Sequence, residues 1–591
     1  MLKKFILILL FIFFSISSLY SQCALYEVPI SDRIQMSTII IEGRVISNFS
    51  FWDSEKRRIY TSNKVEIFKL FKGTLTTTEV EIITEGGIVG NEMLIPSSLL
   101  RLKQGDIGIF ICSPSSIEIP PEFQKKESIV LDVVASMQGF IKYDLHTLAA
   151  SDVFNNYPNI KDVYKHITKL TNKNFLTVKK VDITSLENNV RSVAVPVITG
   201  FSPDSITAGT SSVLTISGNG FGLVGSGSVG FKNADDGGAT YIEALPSQII
   251  SWSDTQIKVK VPSNAGTGKI RVTTDGIISA SAGNLKITYA LSNVTDNNFS
   301  YESRFVDQEV GGYVWHMHNG FDANTAAKTS FLRAFTNWRC ATFVNWSIGD
   351  LTTVNITESD KQNVIRFDIG NELPSGVLGL CYSYYSSCRA GIWYLTEFDI
   401  LFDDATNWQY GPALPLPSQF DFESITLHEL GHGHQLGHVI NPSDLMHYAF
   451  SGGSHKRVLN NSNIACGIYV MSKSTTGVVC EKNPMKPLNP LICNDPAVAI
   501  YEFDGIKVTP NPFITNTRIG YQFSSESSVK IELYNALGQK ISTLLDETQA
   551  AGIYEYDLNG KEYGLTNGSY ILKLILNGKD HTKKIINITS K

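Results

Sequence analysis

The chain has 591 residues, 43% of them hydrophobic and 18% charged, and 56 acidic against 50 basic side chains give a formal net charge of −6. That length is too great for one hydrophobic core and implies about three to five domains. The composition excludes a mainly disordered chain, and without a basic run or stripe it offers no footing for a nucleic-acid partner.

Residues 1–22 read as a secretory signal peptide. Lys3 and Lys4 precede an apolar run over residues 5–16, and Ser17, Ser18 and Ser21 supply small residues for cleavage. The run is too short to span a bilayer comfortably, and no later segment is long and apolar enough, so no transmembrane segment is expected in the mature chain. Cys23 opens a lipoprotein alternative that Gln22 before it disfavours. All eight cysteines (Cys23, Cys112, Cys340, Cys381, Cys388, Cys466, Cys480 and Cys493) follow the signal, and an even count in an exported chain favours disulfides. Cys381 with Cys388, and Cys480 with Cys493, are near enough in sequence to close local loops, while the other pairings stay open.

Residues 23–190 form an N-terminal β-rich domain, a small barrel or sandwich. Residues 39–46, 64–70, 80–84 and 105–112 alternate as strands, and residues 162–170 suit a helix. Ahead of an enzyme, such a domain is an inhibitory propeptide, a folding aid or an accessory module. A thiolate from Cys23 or Cys112 could cap a metal, with disulfide pairing as the alternative.

Residues 196–290 carry short strands between Gly, Ser and Asp turns, as in 213–222 and 257–262, the pattern of a β-sandwich. Their wording resembles the immunoglobulin-like IPT/TIG module, which implies a spacer or binding platform.

Residues 291–490 predict an α+β domain. Ala327, Phe331, Ala334, Phe335 and Trp338 recur at helical spacing over residues 324–343. Residues 364–369 and 392–402 alternate as strands, and residues 422–436 form a second helix. That helix carries His428 and His432, four apart and so on one face. Two imidazoles so placed suit one Zn2+ ion, and Glu429 beside the first suits a general base. His438, beyond Gly437, supplies a third nitrogen, leaving one coordination position open as catalytic zinc requires. His434 points off that face, solvated or behind the ligands. His316 and His318, two apart in a predicted strand, are a candidate second metal pair.

The block around this motif resembles the metzincin clan of zinc peptidases, closest to matrixin-like members. The resemblance implies His428, His432 and His438 as zinc ligands, Glu429 as general base, and Met446 as the Met-turn residue beneath the site. Tyr448, two residues after it, is similar to a tyrosine of astacins and serralysins that approaches the zinc and donates to the oxyanion. Gln435 departs from the clan, which has a glycine there to let the chain bend; Gly437 is a neighbouring place for that bend. No glutamate occurs between residues 430 and 480, so no gluzincin-type ligand competes with His438. In such peptidases a strand at the sheet edge pairs with extended substrate, and the sequence does not say which strand that is.

Residues 505–591 return to β structure and resemble the C-terminal sorting domain of the type IX secretion system. The resemblance rests on the Pro-Asn-Pro-Phe513 start, the Leu537-Gly-Gln539 centre and the Asn577-Gly-Lys579 ending. It implies the type IX machinery as a partner, export through the outer membrane, and a secreted or cell-surface location.

Together these readings describe a multidomain protein, an α+β zincin-type domain with all-β accessory domains. Its expected activity is that of a secreted zinc endopeptidase acting on protein or peptide substrates through zinc-activated water. The alternative is a catalytically silent surface adhesin or binding protein on a zincin-like fold.

Overall fold

The computed structural model describes residues 25–123, 128–181, 183, 195–223, 225, 227–389, 391–490, 493, 507–509, 511–523, 527–549, 552–576 and 579–588. The expected signal peptide and Cys23 lie outside the described residues. The protein is multidomain and strand-rich with few helices, and it divides into two units, Met1–Pro487 and Leu488–Lys591. Among the described residues no helix is long and apolar enough to cross a membrane.

At the start of the first unit, alternating apolar residues close a barrel. Ile39–Trp52 pairs antiparallel with Ile59–Lys72 on one side and with Ile107–Pro114 on the other. Glu79–Glu85 and Val130–Val133 complete the ring. Ile41, Ile67, Val80, Phe110 and Leu131 are buried in its core. Of the two shapes the sequence allowed, the barrel is the one formed. Helix Ile160–Thr171, capped by Asn159, buries Ile160, Val163 and Ile167 against the outside of the same strands.

The immunoglobulin-like segment is a sandwich of two four-stranded sheets over a core that includes Phe221, Phe231 and Trp252. Its last strand, Lys286–Ala290, runs straight into the third segment.

The third segment contributes five strands to a mixed sheet, in the order Trp346–Ile348, Tyr313–Met317, Asn363–Phe367, Ile392–Phe402, Gly379–Arg389. Only the last pairing is antiparallel. Parallel neighbours need a crossover, and helix Thr325–Thr342 supplies one. Its stripe of Ala327, Phe331, Ala334, Phe335 and Trp338 is buried as the spacing predicts. Trp338 also donates its indole N–H to the Leu427 carbonyl at 2.9 Å, locking this helix to the one that carries the histidine motif.

The sheet does not end where the third segment ends. Glu92–Pro96, from the N-terminal segment, pairs antiparallel with Gly379–Arg389, and Gly87–Val89 pairs beyond it. A hairpin from the first 100 residues thus covers the outer edge of a sheet built some 280 residues later (Ser97 and Cys381 are 284 apart).

Cys388, at the end of the edge strand, is bonded to Cys480. This corrects both expected local loops. Cys381 and Cys388 lie in one extended strand, roughly 23 Å apart at about 3.3 Å per residue, and their odd separation sends them to opposite faces. Cys381 is a buried free thiol.

The second unit is a small sandwich of a three-stranded and a four-stranded sheet around Ile519, Val529, Ile531, Leu533, Leu572 and Leu574.

Truncating Trp338 to alanine removes a fully buried ring and a hydrogen bond to the motif helix. The expected loss is about 3–5 kcal/mol, read from denaturant unfolding of the full chain.

Candidate metal centre

Helix Phe422–Gly433 is buried along its whole length. Asp421 caps it, accepting from Ser424 N at 2.9 Å, and Arg457 Nε holds the same carboxylate at 3.0 Å. With every face packed, the helix cannot turn about its axis. The four-residue spacing then places His428 Nε2 and His432 Nε2 3.0 Å apart. His438 Nε2 lies 3.1 Å from His432 Nε2, and one ligand atom from each of the three falls within 4.8 Å of the others.

The far side of each ring decides which nitrogen is bare. His428 Nδ1 faces the Leu445 carbonyl and His432 Nδ1 the Leu436 carbonyl, both at 2.9 Å. His438 Nδ1 faces Asp235 Oδ1, also at 2.9 Å. Carbonyl and carboxylate oxygens only accept, so a neutral ring here carries its proton on Nδ1 and presents a lone pair at Nε2. Three lone pairs cannot bond to one another; they suit a cation. Zn–N bonds of about 2.0–2.1 Å in a tetrahedral site set nitrogens roughly 3.3 Å apart, near the spacing here. Burial first, and the neighbouring rings next, hold His428 well below its usual pKa and His432 at about 3, which keeps both rings neutral. The residues present therefore fit zinc.

For His438 to reach this point the chain must leave the helix and double back. It does so at Gln435, whose φ is +70°. The bend stays at residue 435 and does not move to Gly437. A left-handed non-glycine residue costs about 1–2 kcal/mol. The side chain offsets this: Gln435 Oε1 accepts from Ser303 Oγ at 2.6 Å and Tyr385 Oη at 2.8 Å, and Nε2 donates to the Gly433 carbonyl at 3.2 Å. Glutamine can hold this bend because its amide is buried among partners that glycine would leave unmatched.

Met446 lies under the helix. A Cβ on Gly431 would sit 2.5 Å from Met446 Sδ, so the close approach needs glycine there. Asp444 fixes the turn, accepting from Met446 N at 2.9 Å and from the Asn463 amide at 3.0 Å.

Glu429 is fully buried. Its Oε2 accepts from Ser97 Oγ at 3.0 Å, and Ser97 Oγ accepts in turn from Cys381 N at 2.9 Å. Its Oε1 is buried and has no hydrogen-bond partner among the described residues. Burial pushes this carboxyl up to about 8, while the Ser97 and Cys381 hydrogen bonds pull the other way.

Other expected residues are placed differently. Tyr448 Oη donates to the Val153 carbonyl at 3.1 Å, so its expected zinc-facing or oxyanion-donating role is not what this arrangement holds. His434 is a core residue and not a solvated one: its Nε2 is 2.8 Å from Thr342 Oγ1 and its ring packs on Trp338 and Trp346. His316 Nδ1 bonds to the Asp350 carbonyl and His318 caps a short helix; among the described residues neither joins a metal-binding cluster. Cys112 is sealed in the barrel core, where burial pushes its thiol up, so it does not cap the metal centre. The sequence reading missed Ser97, Val153 and Asp235. Only Asp235 had a local signal, the turn-forming run Asn233-Ala-Asp-Asp-Gly-Gly238.

Three family models match the chain in order: the IPT/TIG domain over residues 196–289, matrixin over 315–468, and the secretion system C-terminal sorting domain over 507–588. No curated protein matches. Among solved structures, an auxiliary nutrient binding protein from Bacteroides thetaiotaomicron is 18% identical, with 21% of this chain and 30% of that one covered and a TM-score of 0.14. Dimeric latent PorU from Porphyromonas gingivalis is 11% identical, with 74% and 36% covered and a TM-score of 0.14. The aligned parts thus span about a third of each of those chains, and likenesses this loose carry no argument. The matrixin match points to a metallopeptidase family of hydrolases that depends on zinc. The sorting-domain match indicates type IX secretion, to the cell surface or exterior.

Gln435 gives a direct test of how the bend is held. Gln435→Ala keeps the backbone strain and loses the side-chain hydrogen bonds, with an expected cost of about 1–3 kcal/mol in chemical denaturation. Gln435→Gly loses the same bonds but relieves the strain, and should recover about 1 kcal/mol of that cost.

Proposed function

We propose that this protein is an exported zinc endopeptidase, held in a latent arrangement. The observation that carries the reading is the convergence of three Nε2 atoms on one point, with the buried Glu429 next in the chain to the first of the three histidines.

His428, His432 and His438 are the residues that would hold the ion. Bound there, zinc supplies Lewis acidity toward water and toward the scissile carbonyl. Glu429, next to the first ligand, takes the proton of the attacking water and passes it to the leaving amine. Met446 supports the helix from below. With Glu92–Pro96 displaced, strand Gly379–Arg389 would offer its outer backbone groups to an extended peptide, which would add as one more antiparallel strand.

Latency follows from what already occupies these groups. Glu92–Pro96 takes the edge, with Met93 opposite Tyr385 and Ile95 opposite Ser383. The next residue, Ser97, donates to Glu429. Ser97 thus occupies a carboxyl oxygen that an attacking water would need, which blocks the base. The Val153 carbonyl holds Tyr448. All three contacts come from the N-terminal segment, which supports reading residues 23–190 as an inhibitory propeptide; its release would free the edge, the base and the tyrosine together.

The test compares wild type and Glu429→Ala, each before and after limited proteolysis that removes the N-terminal segment. Uncut wild type should leave casein intact, and cut wild type should cleave it. Cut Glu429→Ala should retain zinc by metal analysis yet lose at least about 10²-fold in activity. Cut wild type that binds zinc and cleaves nothing would sink the peptidase reading, and equal activity before and after cutting would sink latency.

A further inference from the structure

The immunoglobulin-like module meets the metal centre through a side chain as well as through the chain that links them. We infer that Asp235 of this module is a positioning residue for the third histidine, so that the IPT/TIG module completes the metal site. The inference rests on the zinc reading above.

His428 and His432 stand on a packed helix, and their Nδ1 atoms are held by carbonyls of the same domain. His438 lies past the bend in irregular chain, with no helix to set its ring. Its Nδ1 partner is a carboxylate 203 residues earlier, Asp235 Oδ1 at 2.9 Å. The other Asp235 oxygen accepts from the Asn264 amide, so both ends of the carboxylate are fixed. The turn that presents it is fixed too. Asn233 Oδ1 accepts from Asp235 N at 3.2 Å, Ala234 N donates to the Asn264 carbonyl at 2.8 Å, and Asp236 takes Gly238 N at 3.1 Å.

The segment that bears His438 is docked on the same module. Gly437 N donates to the Ala290 carbonyl at the module's end, and Ser292 N, just past the module, donates to the Gln435 carbonyl, both at 2.8 Å. Two residues past the histidine, Ile440 packs on Gly238 and Gly266, where a Cβ would sit 3.0 and 2.4 Å from its Cδ1. These contacts place the His438 backbone, and Asp235 then sets the ring. A carboxylate on Nδ1–H fixes the tautomer, aims Nε2 at the ion and raises its basicity. A module expected to be a spacer or a binding platform therefore acts as part of the ligand shell.

The experiment measures zinc affinity of the full chain by chelator competition, together with the zinc-dependent rise in Tm, for wild type, Asp235→Ala and Asp235→Asn. The alanine variant should bind zinc about 10–100-fold more weakly, with a smaller rise in Tm. The asparagine variant, which can still accept from Nδ1 but lacks the charge, should fall between them. A merely structural role would lower the metal-free and zinc-loaded Tm alike and leave affinity unchanged; that result in the alanine variant overturns the inference. If Asp235→Ala fails to fold, Asp235→Asn decides: an unchanged affinity together with an unchanged visible spectrum of its Co2+-loaded form overturns the inference, and a weaker affinity supports it. Wild type that binds no zinc would overturn the zinc reading itself, and this inference with it.

Discussion

Everything at this site depends on turning three bare imidazole nitrogens toward one point inside a packed protein. An acceptor on Nδ1 behind each ring fixes its tautomer and aims its Nε2 at that point. The surrounding features serve that pinning. The motif helix is buried on all sides, glycine at 431 lets Met446 come up beneath it, and the left-handed Gln435 returns the chain to the helix face. Each is unfavourable or restrictive alone and makes sense only as part of the convergence.

The order of modules along the chain hides how they share this centre. The N-terminal segment supplies two strands to the mixed sheet of the third segment and a hydroxyl to Glu429, and the immunoglobulin-like segment supplies a carboxylate to His438. Backbone pairing explains the first arrangement. An antiparallel edge strand exposes unpaired N–H and C=O groups, and an extended segment of almost any sequence can satisfy them. The occupant needs only to be apolar where it meets the core, as Met93, Leu94 and Ile95 are.

What the sequence made legible was local. The stripe from Ala327 to Trp338, the His428–His432 pair and the Asp444–Met446 turn are set by short spacings that one helix or one turn interprets. The illegible part was long-range. No residue of Glu92–Pro96 announces its partner, because strand register is carried by backbone groups common to all residues. Gln435 lay between the two cases. Its mismatch with glycine was visible, but the remedy was not, since Ser303 and Tyr385 reach its amide from 132 and 50 residues away. His434 misled for a related reason: a helix-end histidine reads as polar until Trp338 and Trp346 close over it.

The Cys388–Cys480 bond closes a covalent ring over a sequence separation of 92 residues, and that ring contains all three histidines, Glu429 and Met446. A protein outside the cell is exposed to other proteases, and its loops are where they cut. A single nick anywhere within the ring leaves both halves tethered, so the pieces of the centre cannot drift apart. The bond also sets a time for this protection, since it forms only where the surroundings are oxidising, after the chain has left the reducing cytoplasm. Durability of the centre is thus tied to location: the same sequence is severable inside the cell and a closed loop beyond it.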